Sequence, residues 1–516
     1  MSEAARRRDR AWPWLALGLI VLFGVALRAI PLLRSGALFS GIEYDDGVYL
    51  TSAALLVSGH LPYTEFTLLH PPGIAVLLAP FGALIENGDP RAAVVLGRWL
   101  MVVFAALTIL LIADIGRRWR GWPTGLVAAA LYAVSIGALI ADATILLEPF
   151  LNLLCLAALD VWLAGERGRR TAVMCLAIGA LLMLALSIKL WAGVYVLVIG
   201  GVFLLRGSWR DMAWTAVGGL GAGAAIVLPF VAAAPSDFLS QVVTVQAARP
   251  VDLSQTSAER LMQLFDVGPV GMGSVAAIGI VAAVVVLSMA ALVAWRGGSF
   301  GAVLASLLAL MTTMFLLSSS YYTHYPGFLA PIAALVVAGG TTLLFESLGG
   351  RAPRPVTIGA AALVLVLLVG VGGARAARHA TNGSVQADYG ARIAALVPGD
   401  ACLTADDPTW ILVAGRSPRP PAAQREIADL FGERVLRATA GGTVRFSSPG
   451  EMLLSDASQD ALLGYLERCP YVVVGDGTDD WMPDRVAAFQ AGHQLIADWT
   501  AEGGPQLWGP AGAAAS

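Results

Sequence analysis

Two adjacent carboxylates, Asp45 and Asp46, lie in the stretch GIEYDDGVYL, and His60, Glu65 and His70 follow in the same segment. Further polar residues recur far along the chain: Arg98, Asp142, Glu148 and Lys189, then Tyr321, Tyr322, His324 and Tyr325 within SSSYYTHYPG. A carboxylate at a membrane surface can take a proton from an acceptor hydroxyl. Arginine and lysine can hold a phosphate that departs as an anion. A sugar carried on a lipid phosphate calls for both groups where lipid meets water. Outside the cell membrane there is no supply of nucleotide sugars or ATP, so a lipid-linked donor is the one that fits there. Each residue alone has a plainer use. A lysine at a helix end snorkels, paired interfacial tyrosines form a belt, and a single histidine packs. Their arrival at one level of the membrane, acids on one segment and bases opposite, is what points to a site.

That chemistry requires helices that bring distant residues to one level. Of 516 residues, 57% are hydrophobic and 13% charged, against about 25% charged in soluble chains. Mean hydropathy is +0.73. Most of the chain therefore uses lipid as its solvent. No basic stripe with interleaved aromatics is present, which argues against a nucleic-acid partner. A membrane-spanning helix needs roughly 20 apolar residues. Such runs lie near 12–33, 91–114, 122–140, 146–164, 212–233, 269–294, 300–317, 326–345 and 355–373. The stretch 171–205 is too long for one span and reads as two shorter helices broken near Lys189. Eleven spans result. Arginine clusters such as Arg6–Arg8, Arg117, Arg118 and Arg169–Arg170 then fall on one side, which places the N-terminus in the cytoplasm. Segment 46–58 reads as an amphipathic helix, and Pro71–Pro72 start a second short one. With the short apolar run 72–85, residues 34–90 form a folded shelf on the outer surface.

From about residue 374 the composition changes, and two domains are expected: 1–373 in the membrane and 374–516 outside it. Short β runs at 401–405 and 471–474 alternate with helical patterns at 387–397, 458–467 and 483–490, which predicts a small α/β domain. Cys402 and Cys469 each adjoin a predicted strand, and an oxidising compartment would allow a disulfide between them; two buried thiols are the other option. Cys155 and Cys175 lie within helices as packing residues.

The order of these motifs resembles the GT-C class of integral membrane glycosyltransferases, in the branch of bacterial protein O-mannosyltransferases and lipid A aminoarabinose transferases. YDDGVYLTSAALLVSGHLPY resembles the acidic motif of the first outer loop, and LLHPPGIAVLLAP the segment after it. LGRWLMVVFAALTILLIADIGRRWRG, LLEPFLNLLCLAAL, LALSIKLWAGVYVL and YYTHYPGFLAPIAAL resemble later spans, so the likeness covers roughly residues 12–345. It implies a membrane all-α fold, a GT-C multi-span bundle of about eleven helices, with the small extracytoplasmic α/β domain after it. It also implies that one of Asp45 and Asp46 is the general base, Asp45 being favoured as the first of the pair. Arg98 and Lys189 would contact the donor phosphate, Glu148 would orient sugar or acceptor, and His70, Tyr322 and His324 would wall the pocket.

The activity so implied is an inverting transfer of a hexose or pentose from a polyprenyl-phosphate donor to a glycan, lipid or protein acceptor in a multi-pass protein of the plasma membrane. No metal ligands are assigned and no cofactor is expected to be required, with Mg or Mn the alternative that some GT-C enzymes use. A rival class is a transporter or flippase, which would usually show an internal repeat and helices broken at the bilayer midplane. A catalytically silent scaffold binding cell-wall partners is a third; it would tolerate Asp45→Asn, and an enzyme would not.

Overall fold

The computed structural model describes residues 3–512 apart from 35, 169, 253, 267–272, 349–368, 382–386, 419–426, 476 and 479. These divide into two compact units: Met1–Pro31, Met101–Gly223 and Ser254–Gly383 in the first, and Leu32–Leu100, Ala224–Leu253 and Ser384–Ser516 in the second. The second unit joins the tail, from Ser384, to the first loop.

The first unit is helical. Among the described residues, five helices are long and apolar enough to cross a membrane, namely Ala11–Leu33, Pro90–Arg120, Leu147–Glu166, Gly298–Leu317 and Pro326–Ser347. Ala172–Leu186, Leu190–Leu205 and Ala283–Arg296 are shorter apolar helices. The expected span 355–373 lies mostly outside the described residues. Leu15, Leu19 and Leu22 expose about two-thirds of their surface along one stripe of the first helix. Such a stripe has no reason to face water and fits a lipid-facing surface. Several helices of this kind make the chain a multi-pass membrane protein. Where helices touch, small residues allow it: a Cβ on Gly179 would come within 1.8 Å of Thr215 O, and one on Gly218 within 2.1 Å of Leu176 O. The apolar run 171–205 is broken as expected, ending one helix at Leu186 and starting the next at Gly193, with Lys189 in an extended conformation between them. Buried Arg28 is paired inside this unit: its Nε donates to Asp142 Oδ2 at 2.7 Å, and its Nη1 to Gly24 O and Ala133 O.

In the second unit the first loop opens with a helix at Tyr44–Val57, followed by short helices at Gly73–Leu77 and Ala79–Glu86. Pro72 stands at the N-cap of the former, where a missing N–H costs nothing. Leu55, Tyr63, Phe66 and Leu68 bury against Val242, Ala234 and Ala428, and Leu69 against Val435 and Met452. Loop and tail therefore share one apolar core. The tail carries a four-stranded sheet of β1 (Leu403–Ala405), β2 (Tyr471–Val474), β3 (His493–Asp498) and β4 (Gln506–Pro510), in the order β1-β2-β4-β3. β1 and β2 are parallel, with Leu403 opposite Tyr471; β4 runs antiparallel to both its neighbours. Leu462, Leu466, Phe489 and Trp508 pack with the strand residues Val472 and Val474. Cys402 and Cys469 are joined by a disulfide, their Cα atoms 5.1 Å apart, while Cys155 and Cys175 are buried thiols.

Candidate active site

The acidic pair sits in the first turn of the helix Tyr44–Val57, where carboxylates complement the helix dipole. Helical geometry then turns the two side chains about 100° apart, because successive residues advance by one part in 3.6 of a turn. They meet different surroundings. Asp46 is fully buried, and its Oδ2 accepts from Arg98 Nη2 at 2.6 Å and Nε at 2.8 Å. Arg98 is buried too, and donates further to Ala37 O at 2.9 Å and Ser40 O at 3.0 Å. The guanidinium thus fixes three pieces of chain, the acidic helix, the turn Ala37–Phe39 and the helix Pro90–Arg120. All three of its nitrogens are used in doing so. Arg98, expected to contact a donor phosphate, thus spends these donors on a buried carboxylate and two carbonyls.

Asp45 is partly exposed, and its Oδ2 accepts from the Tyr49 hydroxyl one turn on at 2.9 Å. The Tyr49 ring in turn meets the His70 ring edge to face, with centroids 5.8 Å apart. Asp45, Tyr49 and His70 therefore form a row beside the Asp46–Arg98 pair. His60 bonds to Ser58 and Glu65 to the backbone of Leu61, both local contacts that organise the loop.

The first unit gathers the other expected residues. Lys189 Nζ lies 3.0 Å from Glu148 Oε1 and 3.4 Å from the centroid of the Trp191 ring. The Tyr325 ring is 5.0 Å from the same ammonium. Tyr322 and His324 stack on each other, and both meet Tyr325 edge to face. Glu148 is fully buried, and its Oε2 makes no hydrogen bond among the described residues. Glu148, Lys189, Tyr322 and His324 thus belong to one cluster, while Asp45, Asp46, Arg98 and His70 belong to the cluster in the second unit.

Several residues around the acidic helix escaped the sequence reading. Tyr44 OH donates to Asp429 Oδ1 at 2.9 Å, and Thr409 Oγ1 accepts from Gly47 N at 3.0 Å. Burial pushes the Asp407 carboxyl up to about 8, and the nearby Asp406 and Asp46 carboxylates add to it. Burial likewise raises Asp429, with Glu433 adding a smaller push, and keeps the Tyr44 phenol protonated. The one local signal was Gly47 directly after the acidic pair, a residue whose lack of a side chain admits another piece of chain.

Among the described residues no cluster of three or more His, Cys, Asp or Glu is arranged to hold a metal. Residues 66–320, just under half of the chain, match the model of Glycosyltransferase family 87. No curated protein matches the chain in sequence. Among solved structures, ArnT from Cupriavidus metallidurans in the apo state is similar at TM-score 0.58 and 15% identity, over 97% of this chain and 98% of that one. The same protein bound to undecaprenyl phosphate gives 0.57 and 14%, over 98% of each chain. The archaeal oligosaccharyltransferase AglB from Archaeoglobus fulgidus, in complex with an inhibitory peptide and a dolichol-phosphate, gives 0.56 and 11%, over 91% of this chain and 70% of that one. The resemblance read from the motifs is met by the fold: the chain is folded like these GT-C glycosyltransferase structures.

Proposed function

We propose that the protein moves a sugar, a hexose or pentose, from a polyprenyl-phosphate donor to an extracytoplasmic glycan, lipid or protein acceptor. Asp45 is the general base. Its carboxylate takes the proton of an acceptor hydroxyl as that oxygen bonds to the anomeric carbon. The bond from that carbon to the phosphate oxygen breaks, its electron pair leaves with the polyprenyl phosphate, and one displacement inverts the configuration. Lys189, held by Glu148 and Trp191, supplies positive charge for the departing phosphate. His70, Tyr322 and His324 shape the surroundings of the sugar or acceptor. The N-terminus lies in the cytoplasm and the tail outside. The reaction needs no cofactor, so turnover is expected to survive a chelator of Mg and Mn.

The observation that carries this is the division of labour within the acidic pair. Asp46 is consumed by Arg98, while its neighbour Asp45 is partly exposed and steered by Tyr49. The lipid phosphate that such a donor leaves behind is of the class ArnT was solved with, undecaprenyl phosphate.

The test incubates purified protein with radiolabelled polyprenyl-phosphate mannose and arabinose, comparing the parent with Asp45→Asn. Loss of a general base is expected to lower turnover by about 10²–10⁴-fold. Equal consumption by both proteins would remove Asp45 from the role. Movement of the lipid across a vesicle without any new glycosidic bond would replace the transferase with a flippase.

A further inference from the structure

The acidic helix begins without a cap of its own. Glu43 stands at the N-cap position, and its side chain bonds to none of the first-turn amides. The tail braces the turn where its first i to i−4 pair, Gly47 N and Glu43 O, closes. Thr409 Oγ1 accepts from Gly47 N at 3.0 Å and donates to Glu43 O at 3.0 Å, so one buried hydroxyl closes the turn from both ends. A second clasp lies beside it. Tyr44 OH donates to Asp429 Oδ1 and accepts from Phe431 N at 2.7 Å. Asp429 is itself fixed as the N-cap of the helix Leu430–Ala438, accepting from Gly432 N at 2.7 Å. Residues 43, 44 and 47 are therefore held, and 45 and 46 lie between them. The approach is close: a Cβ on Gly47 would come within 2.2 Å of Thr409 N and 2.6 Å of Pro408 C. No side chain fits there.

We propose that Thr409 and Asp429 are positioning residues for the base, so that the tail domain sets where the Asp45 carboxylate stands. This rests on the transferase reading above. Neither residue touches Asp45; they act through the turn that carries it. A hydroxyl that bridges the amide and carbonyl closing a helix's first turn ties that turn to the tail, and a displacement of about an ångström at a catalytic group costs on the order of a hundredfold in rate.

The experiment measures kcat and donor KM with radiolabelled polyprenyl-phosphate mannose and arabinose, and thermal unfolding, for the full chain in detergent. Thr409→Val keeps the shape and removes the hydroxyl. It is expected to lower kcat by at least about tenfold, with donor KM within about twofold. Thr409→Ser, which restores the hydroxyl, is expected to recover most of kcat. Tyr44→Phe opens the second clasp and should lower kcat several-fold by the same pattern. Parent-like kcat in Thr409→Val overturns the proposal, and so does an equal fall in the Val and Ser variants. If Thr409→Val does not fold, Tyr44→Phe decides: unchanged kcat overturns the proposal, and a kcat loss at constant KM supports it. Asp45→Asn runs alongside as a separate arm. Its failure to lower turnover sinks the base assignment, whereas a dead Asp45→Asn with parent-like clasp variants sinks the positioning role alone.

Discussion

Each unit of this molecule buries a carboxylate–cation pair among its candidate site residues, Asp46–Arg98 in one and Glu148–Lys189 in the other, and these two pairs are finished differently. Asp46–Arg98 is sealed: both partners are fully buried, and the guanidinium also satisfies two backbone carbonyls. Glu148–Lys189 is left open. One glutamate oxygen lacks a hydrogen bond among the described residues, and the ammonium rests on the face of Trp191. A planar fork suits a fixed scaffold, whereas an ammonium on a flexible stem with three donors can turn toward a ligand. The difference teaches that a buried charge is not by itself a site. What matters is how much of its bonding capacity the protein has already used.

The largest effect should come from breaking the sealed pair. Arg98→Met leaves the Asp46 charge without a partner in the interior, at a cost of about 3–5 kcal/mol. Thermal unfolding in detergent should show it, and turnover should be lost together with stability. Replacing both partners, as in Asp46→Leu with Arg98→Met, should recover much of the stability, because the desolvated charge is gone. A stable Arg98→Met protein with only weakened donor binding would instead make Arg98 a phosphate ligand, and the contrast between the pairs would fail.

The open pair should respond the other way. Glu148→Gln with Lys189→Met removes both charges at once, so stability should change by about 1 kcal/mol or less. Turnover should fall about a hundredfold, or roughly 2.7 kcal/mol of transition-state stabilisation. If unfolding temperature collapses while turnover per folded molecule is kept, this pair is a scaffold as well.

Parts of this arrangement were legible before folding. The acidic helix, the Pro71–Pro72 start and the break near Lys189 follow from local pattern, since run length and proline placement are local facts. The strands β1 and β2 were readable for the same reason, whereas Cys402 and Cys469 stayed open between a disulfide and two thiols, because their pairing depends on where the strands are brought together. β3 and β4 were missed, being an irregular pair whose alternation is interrupted by the register shift between Leu495 and Ala497. The bonding of Arg98 was not legible, because a sequence gives a charge but not its partners. Least legible was the clasp on Gly47, whose partner Thr409 lies 362 positions away and has no local signature.

The smallest effect, read per pH unit, concerns the clasp itself. Asp407 accepts from Thr409 N at 2.7 Å, and Asp406 and Asp46 both crowd its carboxyl electrostatically. Its proton is held up to about pH 8 in the folded protein, against about 3.9 for an ordinary aspartate. Between those values the folded chain binds one proton that the unfolded chain has released. Stability must therefore fall as pH rises across that window, by at most about 1.4 kcal/mol per unit, and level off above pH 8. Asp407→Asn carries no such proton, so the variant's stability relative to the parent should rise steadily from pH 5 to 8 and then stay constant. Unfolding of the two proteins across that range measures it directly. A flat difference would mean that Asp407 is already ionised when folded. The acidic turn would then face two further negative charges from Asp406 and Asp407, and Thr409 would hold it in place against that repulsion.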